Sequence, residues 1–356
     1  MIKKLQNEFF KLTDADAALI TSSSNRKYFS RFASSAGYLL VTKEKAFYLL
    51  DFRYEEAGKR YAQNCEVVGY TNATDTLLKL IKNENISKIA LEYEGISLKT
   101  ALSFKELFAS VNVETVFDDK LEKTASKLRM IKTKEEIDTI KAAQDITDKA
   151  FAEILNFIGE GVSEKEIAAN LDYQMRLLGA EGSSFSTIVV SGENGSLCHG
   201  VPSDRILKKG DFVTMDFGAL LGGYHADMTR TVAISYTSDE QFKAYQTVLK
   251  AQKDALEVIK PGVCCFDVDK TARDIIEKDY KGMFGHGLGH SVGVEIHEEP
   301  RFSPTCHEIL AEGMVITVEP GVYLEGKFGL RIEDMIAVTE NGYENLTKSP
   351  KNLIYL

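Results

Sequence analysis

Residues 213–231 read Val213-Thr214-Met215-Asp216-Phe217-Gly218-Ala219-Leu220-Leu221-Gly222-Gly223-Tyr224-His225-Ala226-Asp227-Met228-Thr229-Arg230-Thr231. Two strand-like arms flank Leu220-Leu221-Gly222-Gly223, which reads as the turn of a β-hairpin. Asp216 and Asp227 stand on opposite arms. Aspartate is a poor strand former and is rarely placed inside apolar runs such as those of Met215, Phe217 and Met228. That weakens a surface-charge reading of the pair. The loop leaves open which face each carboxylate takes; a cross-strand arrangement would aim both at one spot.

Three further ligand candidates follow toward the C-terminus. His290 closes Gly285-His286-Gly287-Leu288-Gly289-His290, where glycines allow close backbone approach. Glu319 ends the run Met314-Val315-Ile316-Thr317-Val318 and precedes Pro320-Gly321. Glu333 lies in Gly329-Leu330-Arg331-Ile332-Glu333-Asp334. A lone histidine is usually structural, but all six histidines fall between His199 and His307. Glutamates in apolar surroundings are rare unless paired or metal-bound. Four carboxylates and one imidazole carry too much negative charge to cluster without a cation, and they suit two divalent metals. Arg331, two residues before Glu333, shares its strand face if the segment is extended. It is then either a ligand-positioning ion-pair partner or a surface arginine.

The chain has 356 residues, enough for two ordinary domains. A net charge of −10 argues against nucleic acid and anionic membrane as partners. No long apolar stretch follows Met1-Ile2-Lys3-Lys4, so neither a signal peptide nor a membrane span is expected. Five cysteines, two of them adjacent at Cys264 and Cys265 and none in a CxxC pair, read as free thiols of a reducing cytoplasm.

Up to about Phe117, strand-like and helix-like segments alternate, which indicates an α/β layer domain. The charged, aperiodic stretch from Asp118 to Lys132 is read as a boundary, dividing the chain into domains 1–126 and 127–356. In the second domain Thr133 with Glu136, Ser163 with Glu166 and Ser238 with Gln241 open helices as capping boxes. A fourth helix is expected from about Asp267 to Lys278. Strands are expected at 185–191, in the 213–234 hairpin, at 314–318 and at 331–338. The fold class is α+β, with helices grouped around a mostly antiparallel sheet.

These segments together resemble the pita-bread metallopeptidases, the family of methionine aminopeptidases, Xaa-Pro aminopeptidases and prolidases. Thr214 to Gly218 and Asp227 to Thr231 match its two aspartate strands. His286 to His290 with His297-Glu298-Glu299-Pro300 match its histidine segment. Glu319-Pro320-Gly321 and Arg331 to Asp334 match its glutamates, and His199-Gly200-Val201-Pro202 matches a stretch with a further catalytic histidine. The first domain resembles the creatinase-like N-terminal domain of the proline-directed branch through Asn25, Tyr28, Phe32 and Asp51-Phe52-Arg53-Tyr54. Arg31 stands where that family usually has glycine.

The resemblance implies roles. Asp227 and Glu333 would bridge two divalent ions, with Asp216 completing one and His290 and Glu319 the other. The ions would share a water whose pKa they depress. Glu319 would carry its proton to the leaving nitrogen, and His297 would donate to the developing oxyanion. His199 would hold the substrate near the scissile nitrogen, and His286 would contact substrate or support a ligand. Manganese(II) is the expected ion, with Co(II), Zn(II) or Fe(II) as alternatives. A homodimer is expected by family analogy. The expected activity is Xaa-Pro aminopeptidase: removal of a first residue that precedes proline, with a pocket open beyond the proline. The alternative is Xaa-Pro dipeptidase (prolidase), which needs a positive group to receive the proline carboxylate. No arginine clearly devoted to that task stands out. A catalytically dead binding module on the same fold disagrees with the complete ligand set.

Overall fold

The computed structural model describes residues 1–356, which fall into two compact units, Met1–Arg129 and Met130–Leu356. The first is a six-stranded sheet of β1 (Ala17–Ile20), β2 (Tyr38–Thr42), β3 (Ala46–Asp51), β4 (Glu66–Tyr70), β5 (Lys88–Leu91) and β6 (Glu114–Val116), in the order β4-β3-β2-β1-β5-β6. The central β1-β2-β3 meander is antiparallel, and both flanks are parallel. Parallel neighbours need crossovers, here the helices Phe52–Tyr61, Ala73–Asn83 and Leu98–Ala109. Phe104 and Phe108 pack with Leu19, Leu40 and Leu49 in the core of this unit.

Three helices of this unit do not stand out in the sequence. Ile2–Phe9 buries Ile2, Leu5, Gln6 and Phe9, so a glutamine interrupts its apolar stripe. Ser23–Ser30 is capped by Ser22 and ends at Arg31, whose φ of 57° is the left-handed conformation that glycine usually supplies. Lys120–Met130 replaces the expected irregular boundary. Only Leu121, Thr124 and Ala125 are buried, so charged residues dominate its pattern.

The second unit contains the helices Lys134–Ile154, Glu164–Leu177, Asp239–Glu257 and Cys265–Asp279. The first three open with complete capping boxes at Thr133/Glu136, Ser163/Glu166 and Ser238/Gln241. The first pair packs Phe151, Ile154, Ile167 and Leu171 against Met215, Phe217 and Met228. The second pair packs Val248, Val268 and Ile276 against Ile316, Val318 and Ile336. Strand pairing between named strands is antiparallel throughout but is divided among several small sheets rather than one. Two interruptions matter for function. The hairpin ladder pauses at Gly218 and Asp227, and the expected strand 331–338 is split into Phe328–Arg331 and Asp334–Thr339 around Ile332-Glu333. No helix is long and apolar enough to cross a membrane.

Candidate metal centre and active site

Strand register settles the orientation that the hairpin left open. Asp216 pairs with Thr229 and Phe217 with Met228, and the same register resumes at Leu220 with His225. Asp227 therefore stands opposite Gly218. Alternation puts 216 and 218 on one face and 227 and 229 on the same face. Both carboxylates thus leave the face opposite Met215, Phe217 and Met228, which go to the core. Gly218 has no side chain to fill that face. A Cβ there would lie 1.9 Å from Ala226 O.

The glutamates come from the end of another ladder. Val318 pairs with Asp334, so Glu319 and Glu333, one step beyond, face each other where that ladder stops. Glu333 N donates to Thr229 O at 3.1 Å, and Thr229 Oγ1 donates to Glu333 Oε2 at 2.7 Å. These bonds join the ladder end to the aspartate face. His290 arrives from the neighbouring strand Gly289–Ser291. Its backbone N donates to Thr317 Oγ1 at 3.0 Å, and that hydroxyl lies 3.2 Å from Glu319 Oε1.

His290 Nε2 lies 3.5 Å from Asp227 Oδ2 and 3.4 Å from Glu319 Oε1. One ligand atom each of Asp227, His290 and Glu333 falls within 4.8 Å of the others. His290 Nδ1 is 3.2 Å from Ser291 O and is assigned as the donor, which leaves the Nε2 lone pair turned toward the carboxylates. Burial, then His297, holds His290 down to about 3, so it is a neutral ligand at physiological pH. Burial pushes the carboxyls of Asp227 and Glu333 well up, with Glu333 and Glu319 respectively the next cause. Burial also lifts Glu319 to about 7. Asp216 Oδ1 and Glu333 Oε1 are buried without a hydrogen-bond partner. Oxygen atoms so placed, beside a neutral imidazole, fit divalent cations.

A second set of groups holds these in place. Arg331 is buried and donates from Nη2 to Asp216 Oδ2 at 2.5 Å and from Nε to Thr229 Oγ1 at 2.9 Å. The split strand turns it toward Asp216 rather than along Glu333. Arg331 Nη1 also donates to Tyr323 Oη at 2.7 Å. Tyr323 Oη lies 3.0 Å from His286 Nε2, and His286 Nδ1 is 2.7 Å from Gly287 O. Burial, then Arg331, keeps His286 near 4. A neutral His286 with Nδ1–H on Gly287 accepts the Tyr323 hydroxyl, so both ring nitrogens are engaged and the ring supports rather than reacts. Behind Glu333, Asp334 is fully buried and binds Arg230 at 2.8 Å, Lys351 at 2.5 Å and Gln252 at 3.0 Å. Burial alone would raise Asp334, but Arg230 and Lys351 hold it below its ordinary value.

A cavity of about 500 Å³ opens onto the cluster, within the usual range for small-molecule sites. His297 lines it with its ring centroid 4.3 Å from that of His290. Burial, then Arg301, lowers His297. His199 stands at the exposed rim. Its loop is pinned by the buried Glu164, which accepts from Ser191 N at 2.7 Å and from Ser203 N at 3.0 Å, one on each side of the loop. Phe185, Ile188, Ile296 and Phe302 supply apolar wall. All nine residues singled out in the sequence, Asp216, Asp227, His290, Glu319, Glu333, His199, His286, His297 and Arg331, thus border one cavity. Two others escaped notice. Thr229 follows Asp227 by two, so strand alternation could have placed it at the site. Arg301 lines the cavity with half its side chain exposed, and a lone exposed arginine carries no pattern to find.

Residues 138–340 match the metallopeptidase family M24, and residues 1–131 match the creatinase/prolidase N-terminal domain. A Xaa-Pro dipeptidase of Pyrococcus furiosus is 39% identical over 351 residues, covering 98% of this chain and 97% of that protein. Among solved structures, a Xaa-Pro dipeptidase from Bacillus anthracis is 40% identical with a TM-score of 0.95, covering 100% of this chain and 99% of the other. An X-Pro aminopeptidase from Thermotoga maritima is 39% identical with a TM-score of 0.90, covering 98% and 99%.

Proposed function

The chain belongs to metallopeptidase family M24 and carries the creatinase/prolidase N-terminal domain, and from that premise we propose that it is a Xaa-Pro dipeptidase. Its substrate is a dipeptide with proline second, and its product pair is a free amino acid and proline. Full-length similarity to Xaa-Pro dipeptidases supports this over the aminopeptidase reading. The observation that carries it in this chain is Arg301. Arg331 is fully engaged with Asp216, Thr229 and Tyr323, and His286 is tied to Tyr323. Arg301 alone among the cavity's cations is half-exposed, at 51% of its side chain, with one loose contact of 3.4 Å to Glu299. A guanidinium in that state is placed to bind the proline carboxylate by two parallel hydrogen bonds. A longer peptide has no carboxylate there.

Asp216, Asp227, His290, Glu319 and Glu333 would hold two divalent ions, manganese(II) first among the candidates. When bound, such ions supply Lewis acidity and lower the pKa of a shared water. The chain's own residues do the rest. Arg301 and the apolar wall orient the dipeptide. A Glu319 carboxylate oxygen would take a proton from the attacking water and return it to the proline nitrogen as the amide bond breaks. His297 donates its ring N–H to the carbonyl oxygen as charge develops on it. His199, at the rim, contacts the substrate beside the leaving nitrogen. Proline makes the scissile amide tertiary, with no N–H to bind, so recognition falls on the carboxylate.

Comparing kcat/KM for a Xaa-Pro dipeptide, a Xaa-Pro-Xaa tripeptide and a Xaa-Ala dipeptide tests the reading in manganese-loaded protein. The dipeptide with proline should lead both, and Arg301→Ala should raise its KM while sparing the tripeptide. Preferred cleavage of the tripeptide would favour the second reading, Xaa-Pro aminopeptidase, which similarity to the Thermotoga maritima structure supports.

A further inference from the structure

Behind the two histidines lies a cluster of polar side chains that the mechanism above does not use. Lys132 directly precedes the Thr133 cap of helix Lys134–Ile154, and only 2% of its side chain is exposed. Its Nζ donates to Ser291 Oγ at 2.8 Å and lies 3.2 Å from Glu298 Oε2, on a side chain 4% exposed. Ser291 Oγ donates onward to Val315 O at 2.9 Å, and Glu298 Oε1 accepts from Glu295 N at 3.2 Å. Lys132 N is itself fixed by donating to Gly313 O at 2.9 Å.

Placement in the chain gives this cluster its meaning. Ser291 immediately follows His290, and Glu298 immediately follows His297. His290 and Ser291 are successive residues of one strand and point to opposite sides, while His297 ends the bend that leads into strand Glu298–Phe302 and is joined to Glu298 by a single peptide. A cation gripping Ser291 and Glu298 therefore fixes the backbone from which His290 and His297 project. Backbone pairing alone specifies this poorly, because the ladder between Gly289–Ser291 and Glu298–Phe302 shifts register between His290 and Ser291. Burying an ammonium is unfavourable compared with an apolar side chain of similar length, so stability alone does not account for a lysine here.

We propose that Lys132 is a positioning residue of this metallopeptidase: clamped between Ser291 and Glu298, it holds the imidazoles of His290 and His297 in register with the carboxylate cluster. The proposal rests on the roles given above to those two histidines.

Lys132→Met, Lys132→Arg and the double variant Lys132→Met/Glu298→Gln test it, the last removing both charges of the Lys132–Glu298 pair together. Each is followed by imidazole NMR resonances in metal-free protein, by manganese(II) titration calorimetry, and by kcat and KM separately on a Xaa-Pro dipeptide. Lys132→Met and the double variant should shift the His290 and His297 resonances and weaken manganese binding or kcat by roughly ten- to a hundred-fold, with KM little changed. Lys132→Arg should recover part of the loss. A folded double variant with wild-type resonances, affinity and kcat overturns the proposal, even where Lys132→Met alone does not fold. His297→Ala, measured alongside, separates the two claims. Normal kcat in that variant sinks the active-site reading itself. An impaired His297→Ala beside an unaffected double variant sinks only the role of Lys132.

Discussion

Glu319 combines two properties that pull against each other: a position among three other carboxylates and burial of most of its side chain. Without a cation its carboxyl is lifted from 4.5 to about 7, burial being the largest cause. The sign of the resulting pH dependence is definite. Between about pH 4.5 and 7 the folded chain holds a proton that the unfolded chain has released, so stability falls as pH rises through that window, and the penalty is complete above it. Replacing Glu319 by Gln in metal-free protein should therefore raise the thermal midpoint at pH 8, by an amount corresponding to at most about 3 kcal/mol, and should do nothing at pH 4.5. Equal melts of the two proteins at pH 8 would remove the argument. With metal added the order should invert, since the variant loses a ligand. At this scale the sequence was informative where a residue broke a pattern. Asp216, Asp227 and Glu319 were visible because each interrupts or ends an apolar run, whereas Arg301 lies in the mixed run Glu298-Glu299-Pro300-Arg301-Phe302 and interrupts no apolar stretch.

Among the elements, the strand Gly289–Ser291 has the least freedom. A Cβ on Gly289 would sit 1.9 Å from Thr317 O, a backbone atom that cannot rotate away. Thr317 is also the residue whose hydroxyl receives His290 N and approaches Glu319. Gly289→Ala should push the two strands apart, displace His290 and lower both manganese affinity and the thermal midpoint, with a destabilisation of about 1–3 kcal/mol as for other overpacked sites. Calorimetric titration and a thermal melt read both, and wild-type affinity in the variant would contradict the close-approach argument. Element by element, legibility followed local chemistry. Capping boxes at Thr133, Ser163 and Ser238 are local hydrogen-bond devices, and each opens its helix where the sequence places it. The split of 331–338 at Ile332-Glu333 has no local cause. It arises because Ile332 N turns to Pro320 O and Glu333 N to Thr229 O, partners that only the tertiary fold brings near.

For the molecule as a whole, the proposed ligands would couple metal binding to folding. A cation that binds the folded chain alone, present at a hundred times its dissociation constant, stabilises it by about 2.7 kcal/mol. Chelation should lower the thermal midpoint by several degrees and manganese should restore it. Amide exchange should place the lost protection in 212–233, 288–291 and 315–339. An unchanged midpoint after chelation, with elemental analysis showing the metal gone, would mean that the carboxylates find other partners. Fold class was legible from alternation in the first third and from capped helices afterwards; the number of sheets was not, since it depends on where ladders pause. The order of the ligands has a consequence for biosynthesis. Asp216 and Asp227 are translated before His290, Glu319 and lastly Glu333. On the proposed ligand assignment, a nascent chain that ends between Asp227 and Glu333 lacks part of the metal site, and the full set of donors exists only once Glu333 has been added.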